Sequence, residues 1–137
     1  MKNPKVLSEK SVYKTSFGVD KYTEMKMARV RLPNGKITKW GYIKLRDAVA
    51  IVAVDKKKNV YLTKQWRLAW KRNILSLPAG AVKSNATEKE RIQKVKQEMQ
   101  EEIGFKAVKI TKLVSSITHG SSIRSKFHIY LATISCN

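Results

Sequence analysis

The sequence is short of several things, and each shortage removes a class of explanation. It has a single cysteine, Cys136, so an internal disulfide is excluded. Its N-terminus, Met1-Lys2-Asn3-Pro4-Lys5-Val6-Leu7, lacks the apolar stretch of a secretory signal. Both features give a reducing cytoplasm as the expected compartment. No apolar run approaches the ~18 residues of a membrane span, so a soluble protein without a membrane partner is expected. No repeat or low-complexity segment appears. Acidic residues are scarce: ten Asp and Glu stand against 29 Lys and Arg, and none follows Glu102.

What is present suits one globular domain. The chain has 137 residues with 42% hydrophobic content, enough for one core. The formal charge of +19 gives a strongly positive surface potential that draws anionic partners. The lysines are scattered rather than gathered into one block or helix face, so they read equally as a solvated surface and as a diffuse footprint for non-specific nucleic-acid binding. The acids are more informative. Glu88, Glu90, Glu98, Glu101 and Glu102, half of the total, lie within fifteen residues.

Along the chain, residues 1–23 show no clear period, and one short strand is expected around Val12-Tyr13. Met25 to Leu32 alternates roughly, and Pro33-Asn34-Gly35-Lys36 before Ile37 to Ile43 signals a β-hairpin. Ala48 to Val54 is a continuous β-rich run, as in a strand covered on both faces. Asp55 to Asn59 then turns into Val60-Tyr61-Leu62. Trp66 to Asn73 reads as a polar and aromatic connection to Ile74-Leu75-Ser76-Leu77, a short strand stopped by Pro78-Ala79-Gly80. Thr87-Glu88-Lys89-Glu90 is a capping box, and Ile92, Val95, Met99 and Ile103 recur at helical spacing up to Gly104, which predicts one amphipathic helix over about 87–103. Two strands, about Ala107–Val114 and Phe127–Ile134, follow, separated by a polar loop with His119.

On that helix Glu98, Glu101 and Glu102 stand at i, i+3, i+4, fanning across about 100° so that they face one spot beside the apolar stripe. Three close carboxylates raise the cost of ionisation unless cations neutralise them. Mg²⁺ or Mn²⁺ suits such a group, because hard cations take carboxylate oxygens and complete their shells with water and substrate phosphates. The competing reading is a solvated helix face, with Lys94 pairing to Glu98 and Glu90 to Lys94.

The stretch from Gly80 through Glu98-Met99-Gln100-Glu101-Glu102-Ile103-Gly104-Phe105 resembles the Nudix box, GX5EX7REUXEEXGU. Glu98 matches the first glutamate of REUXEE, Glu101 and Glu102 the following pair, and Gly104 and Phe105 the closing glycine and apolar residue. The first half departs from the pattern. Counting back from Gly104 puts Lys83 at the box glycine and Lys89 at its first glutamate, and Gln97 replaces the arginine. Keeping Gly80 as the box glycine requires a loop three residues longer, with Glu88 or Glu90 as a displaced first glutamate. Further segments, Val30 to Lys36, Ala48 to Val52, Tyr61-Leu62-Thr63-Lys64-Gln65-Trp66-Arg67 and Leu77-Pro78-Ala79-Gly80, look like successive motifs of the ADP-ribose pyrophosphatase branch of that family.

The resemblance implies an α/β protein: a Nudix-type α/β/α sandwich with a mixed sheet and an N-terminal β-extension. Residues 1–45 would form a β-subdomain for dimerisation and substrate specificity, and 46–137 the Nudix domain. The C-terminal helix usual in the branch is expected to be missing, and Ser76 stands where the branch often has glutamate. The implied activity is Mg²⁺- or Mn²⁺-dependent hydrolysis of the diphosphate linkage in a nucleoside diphosphate derivative such as ADP-ribose, by a homodimer. By the same resemblance Glu98, Glu102 and the Ala79 carbonyl hold metal, Glu101 supports them, and Arg67 clamps a phosphate, with Arg46 as a second candidate. Gly80, Trp66 and His119 complete the substrate-binding candidates; Trp40, Tyr42 and Trp66 could stack a base or sugar, but large aromatics more often belong to a core or interface, which is the favoured reading. The loop Thr118 to Lys126, where the branch commonly carries a glutamate, holds no acid, so a base comes from the helix, from His119, or not at all. His128 sits in strand alternation and reads as structural. Two rivals remain: a catalytically weakened Nudix-like protein that binds nucleotide or RNA, and an RNA 5′-end pyrophosphohydrolase.

Overall fold

A computed structural model describes residues 2–15 and 23–134; Cys136 and the end of the chain at Asn137 lie outside the described residues. Eleven strands and one α-helix follow one another among them. They are β1 (Lys5–Lys14), β2 (Glu24–Arg31), β3 (Ile37–Lys44), β4 (Asp47–Val54), β5 (Val60–Tyr61), β6 (Thr63–Arg67), β7 (Arg72–Ser76), β8 (Ala79–Val82), α1 (Glu88–Glu98), β9 (Ala107–Ile117), β10 (Ile123–Arg124) and β11 (Lys126–Ile134). The chain divides into two compact units, one made of Met1–Arg46 with Ile117–Ser125, the other of Asp47–Ser116 with Lys126–Asn137.

The first unit is a four-stranded sheet in the order β1-β2-β3-β10. The expected hairpin joins β2 to β3 in antiparallel register, Arg31 opposite Ile37. Its turn requires Gly35, whose φ of +84° lies in the left-handed region that a Cβ disfavours. The Leu32 N–H donates to the Lys36 carbonyl at 2.8 Å and the Gly35 N–H to the Leu32 carbonyl at 2.9 Å, closing the turn. The N-terminal strand is a correction. Instead of a short piece at Val12-Tyr13, β1 pairs with β2 over ten residues. Irregularities between Val6 and Ser8 and between Ser11 and Tyr13 shift its phase, which erases a two-residue period from the sequence. β10 pairs in parallel with β3, Ile123 opposite Ile43.

The second unit is built on β4, the apolar run at Ala48 to Val54. β4 is hydrogen-bonded in parallel to β11 and antiparallel to β5 and β8, and β9 lies beyond β11. One face of this mixed sheet is covered by α1. Val49, Ile51, Val82, Tyr130 and Ile134 on the strands meet Val95 and Met99 from the helix and its last turn. Val95 and Met99 are fully buried, contributing about 1.5–3 kcal/mol each. Phe105 closes the end of this core edge-on to Tyr61, with ring centroids 4.9 Å apart.

The fold is mixed α/β as expected, with several sheets and α1 as the one α-helix among the described residues. Two further boundaries differ. Trp66 and Arg67 are not in a connection but end β6, which forms a two-stranded hairpin with β7 through a 3₁₀ turn at Leu68–Trp70. Lys71 takes the left-handed conformation there, with φ of +48°. Pro78 does stop β7, yet Ala79 and Gly80 begin β8, opposite Ala50 and Val49. No helix among the described residues is long and apolar enough to cross a membrane.

Candidate active site

The site grows from the two ends of α1. At the start, the Thr87 side chain accepts the Glu90 N–H at 3.3 Å while the Glu90 carboxylate accepts the Thr87 N–H at 2.6 Å, the reciprocal capping box read from the sequence. Glu88 and Glu90 also place negative charge where the helix dipole favours it. At the far end the helix does not stay α. After Glu98 it widens into a single π turn, Met99–Ile103, and Gly104 ends it in the left-handed conformation, its N–H reaching back to the Met99 carbonyl. Such turns recur at functional sites because they re-aim the side chains they carry.

That widening changes where the three glutamates go. Among the described residues no group of three or more His, Cys, Asp or Glu side chains stands close enough to share one ion, so the expected trio facing one spot is not assembled. The 100° per residue that placed them together holds for an α-helix and not for a π turn. Glu101 is exposed and accepts a hydrogen bond from Gln97 at 2.8 Å. Glu98 and Glu102 turn instead toward the start of β8. Glu102 accepts the Ala79 N–H at 3.0 Å and the Gln65 amide at 2.8 Å. Glu98 is buried, and a Cβ built on Gly80 would collide with its carboxylate. Gly80 is therefore a cradle, and only glycine admits the carboxylate there.

The structure thus brings together Ala79, Gly80, Glu98 and Glu102. Lys94 adds an ion pair to Glu98 Oε1 at 2.5 Å, which is half of the helix-face pairing considered as the alternative. The other half is absent, since Glu90 is engaged in the cap. Gln65 was not singled out in advance as a site residue. Its signal was its place in Thr63-Lys64-Gln65-Trp66-Arg67, where alternation puts Gln65 and Arg67 on the same side of β6 and Trp66 on the other. Arg67 and Trp66 are both exposed. Arg46 and His119 belong to the first unit. The Arg46 carbonyl accepts the Ser125 hydroxyl at 2.8 Å, and His119 takes a left-handed conformation with φ of +43°, its carbonyl accepting the Ser122 and Ile123 N–H groups.

Glu88, one of the two candidates for the displaced first glutamate, is held by three donors. The Tyr130 hydroxyl reaches it at 2.7 Å, Arg91 at 2.9 Å and Lys112 at 3.4 Å. The Tyr130 hydrogen bond first, and Arg91 next, hold its carboxyl well below the usual range, at about 2. Burial and the bond to Glu88 push Tyr130 up to about 12. His128 is buried, with Nδ1 2.8 Å from the Ser115 hydroxyl and Nε2 3.8 Å from Asp47. Burial, then the charge of Arg91, lowers its pKa. Its contacts are those of the structural residue expected from strand alternation.

Within the first unit, a groove of about 700 Å³ is lined by Lys39, Trp40, Tyr42, Ser121, Ser122 and Arg124. Trp40 is half exposed, and the Tyr42 hydroxyl donates to Glu9 at 3.0 Å.

No protein-family profile matches the chain. It is 31% identical over 128 residues to an ADP-ribose pyrophosphatase of Bacillus subtilis (strain 168), an alignment covering 93% of this chain and 68% of the relative. Over 128 residues it is 24% identical to a methanol dehydrogenase activator of Bacillus methanolicus, again with 93% and 68% coverage. Its fold is similar to a crystal structure of an ADP compounds hydrolase, with a TM-score of 0.81 at 20% identity, covering 97% of this chain and 68% of that one.

Proposed function

The chain belongs to the Nudix hydrolases of the ADP-ribose pyrophosphatase kind, and on that premise we propose that it cleaves the diphosphate linkage of a nucleoside diphosphate derivative, ADP-ribose first among them, with Mg²⁺ or Mn²⁺. The observation that carries the reading is the meeting of two carboxylates from one helix end, Glu98 and Glu102, with the backbone of Ala79 and Gly80. The carboxylate oxygens of this group suit a hard divalent cation, whose shell would also take water and substrate phosphate. By the family pattern Glu98, Glu102 and the Ala79 carbonyl would hold the ion, while Glu101, turned to Gln97, would not.

When bound, the ion supplies neutralisation of the diphosphate charge and a more acidic water. The protein's own groups do the rest. Gln65 and the Ala79 N–H fix the Glu102 carboxylate in orientation, and Gly80 leaves space for Glu98. Arg67, on the same side of β6 as Gln65, clamps a phosphate through its planar fork. The reaction is then mostly positioning and charge stabilisation of a phosphoryl group attacked by water, which suits a site with few titrating groups.

The same premise supports a homodimer through the first unit, whose Val12, Tyr13, Ile37 and Trp40 are large apolar residues left exposed. A monomeric sedimentation mass would contradict it. The activity is tested by release of phosphate monoester from ADP-ribose, dinucleoside polyphosphates and 5′-triphosphate RNA with Mg²⁺ or Mn²⁺. Wild type should turn over ADP-ribose fastest, and Glu102→Gln should lower the rate about 10²-fold or more. Absence of metal-dependent turnover on all three substrates removes the enzymatic reading.

A further inference from the structure

The carboxylate that the family pattern assigns to metal is already neutralised by a cation of the chain itself. Lys94 Nζ lies 2.5 Å from Glu98 Oε1. The Glu98 side chain is only 9% exposed and that of Lys94 25%, so water screens this pair far less than it does most surface pairs. An ammonium there takes one lone pair of Oε1, offsets the carboxylate's charge and repels a second cation brought to the same group. Glu98 therefore ligates more tightly once Lys94 has swung away.

Its surroundings give it somewhere to go. Lys94 lines a groove of about 200 Å³ together with Lys83, Glu90, Gln93 and Gln97. Its ammonium already lies 3.4 Å from Gln97 Oε1, and Glu90 stands one helical turn behind. The pairing also has the weaker of the two helical orientations, with lysine N-terminal to glutamate at i, i+4. A permanent brace would be better served by the reverse order. The residue that a Nudix box would make arginine is Gln97 here, so the space beside Lys94 holds a neutral acceptor in place of a second cation.

Resting on the metal reading given above, we propose that Lys94 is a built-in competitor for the divalent-ion site. It neutralises buried Glu98 in the metal-free protein and moves toward Gln97 and Glu90 when the ion enters, which raises the metal concentration needed to load the site. Removing the ammonium therefore has two opposed effects. The metal-free protein loses the partner of a buried carboxylate and becomes less stable, while the ion binds more tightly because nothing has to be displaced.

The test is Mn²⁺ uptake by the full chain, followed by the loss of the free-ion paramagnetic resonance signal and by titration calorimetry, beside thermal unfolding with and without Mn²⁺. Lys94→Gln should bind Mn²⁺ about tenfold more tightly than wild type, melt lower without metal and gain more in Tm on adding it. Lys94→Arg, which keeps the competing charge, should stay close to wild type. Lys83→Gln, which removes a neighbouring charge of the same groove, should shift affinity less than about twofold. If Lys94→Gln binds no more tightly than wild type while Glu98→Gln abolishes uptake, the competitor role is wrong and the metal site stands. If wild type takes up no Mn²⁺, or Glu98→Gln leaves uptake unchanged, the metal reading itself fails and the role of Lys94 falls with it.

Discussion

At the scale of single residues, the site depends on one missing atom and a few donors. Glu98 is buried because Gly80 has no Cβ, so Gly80→Ala has to push the carboxylate out of its cradle or move β8. β8 is hydrogen-bonded to the central strand and cannot yield easily, so the carboxylate moves. Displacements of about 1 Å at a reacting centre cost on the order of 10²-fold in rate. We expect Gly80→Ala to lose about that much ADP-ribose hydrolysis while retaining the far-ultraviolet circular dichroism of the wild type. Unchanged turnover would show that the cradle is not used. The glutamates themselves were legible, because their spacing and the flanking Gly104-Phe105 fit a known pattern. Their partners were not. Gln65 is 37 residues from Glu102 in sequence, and no local rule links them. Nor does the 100° periodicity of an α-helix tell that the last turn becomes π, with Glu101 left exposed while Glu102 turns to Ala79 and Gln65.

At the scale of elements, α1 is tied down by polar contacts at its first turn and by apolar ones at its last. The start was readable in full, since a capping box is a local device that needs only Thr87 and Glu90. What Glu88 does was not, because it reaches across to Tyr130 on β11 and Lys112 on β9. This contact carries a pH dependence of definite sign. The Glu88 carboxyl falls from an ordinary 4.5 to about 2 on folding, so between those values the unfolded chain binds the extra proton. Its contribution is complete above about pH 4.5 and is lost as pH falls toward 2. Tyr130 supplies the largest part of that shift. Tyr130→Phe should therefore flatten the acid limb, narrowing the difference in urea midpoint between pH 6 and pH 3 relative to wild type. The same substitution removes an alkaline limb, because a phenol raised from 10 to about 12 gives stability that is complete below pH 10 and is lost as pH rises from there through 12. If wild type and Tyr130→Phe lose stability in parallel as pH falls, the Tyr130–Glu88 bond is not what holds α1. The strands divide in a similar way. β4 announced itself as an unbroken apolar run, whereas β1 hid its period behind two register shifts.

At the scale of the whole molecule, the charge is the feature most plainly written in the sequence and the one whose consequence is least local. A formal +19 surrounds a site whose own helix holds half of the acids. The acids repel a diphosphate at close range until a cation neutralises them, while the remaining surface attracts it from a distance. Long-range attraction acts on encounter and not on the chemical step, so it belongs to kcat/KM. Raising ionic strength from about 0.01 M to 0.15 M shortens the screening length from ~30 Å to ~8 Å. At saturating metal, kcat/KM for ADP-ribose should fall several-fold over that range while kcat changes by less than about twofold. Viscosity-matched controls with a neutral additive should leave both unchanged. A kcat/KM indifferent to salt would mean that the lysines are only a solvated coat. If kcat fell as steeply, screening would be acting within the bound complex, at the proposed Arg67 contact or the carboxylate pair, and the field of the whole molecule would have no separate part in catalysis.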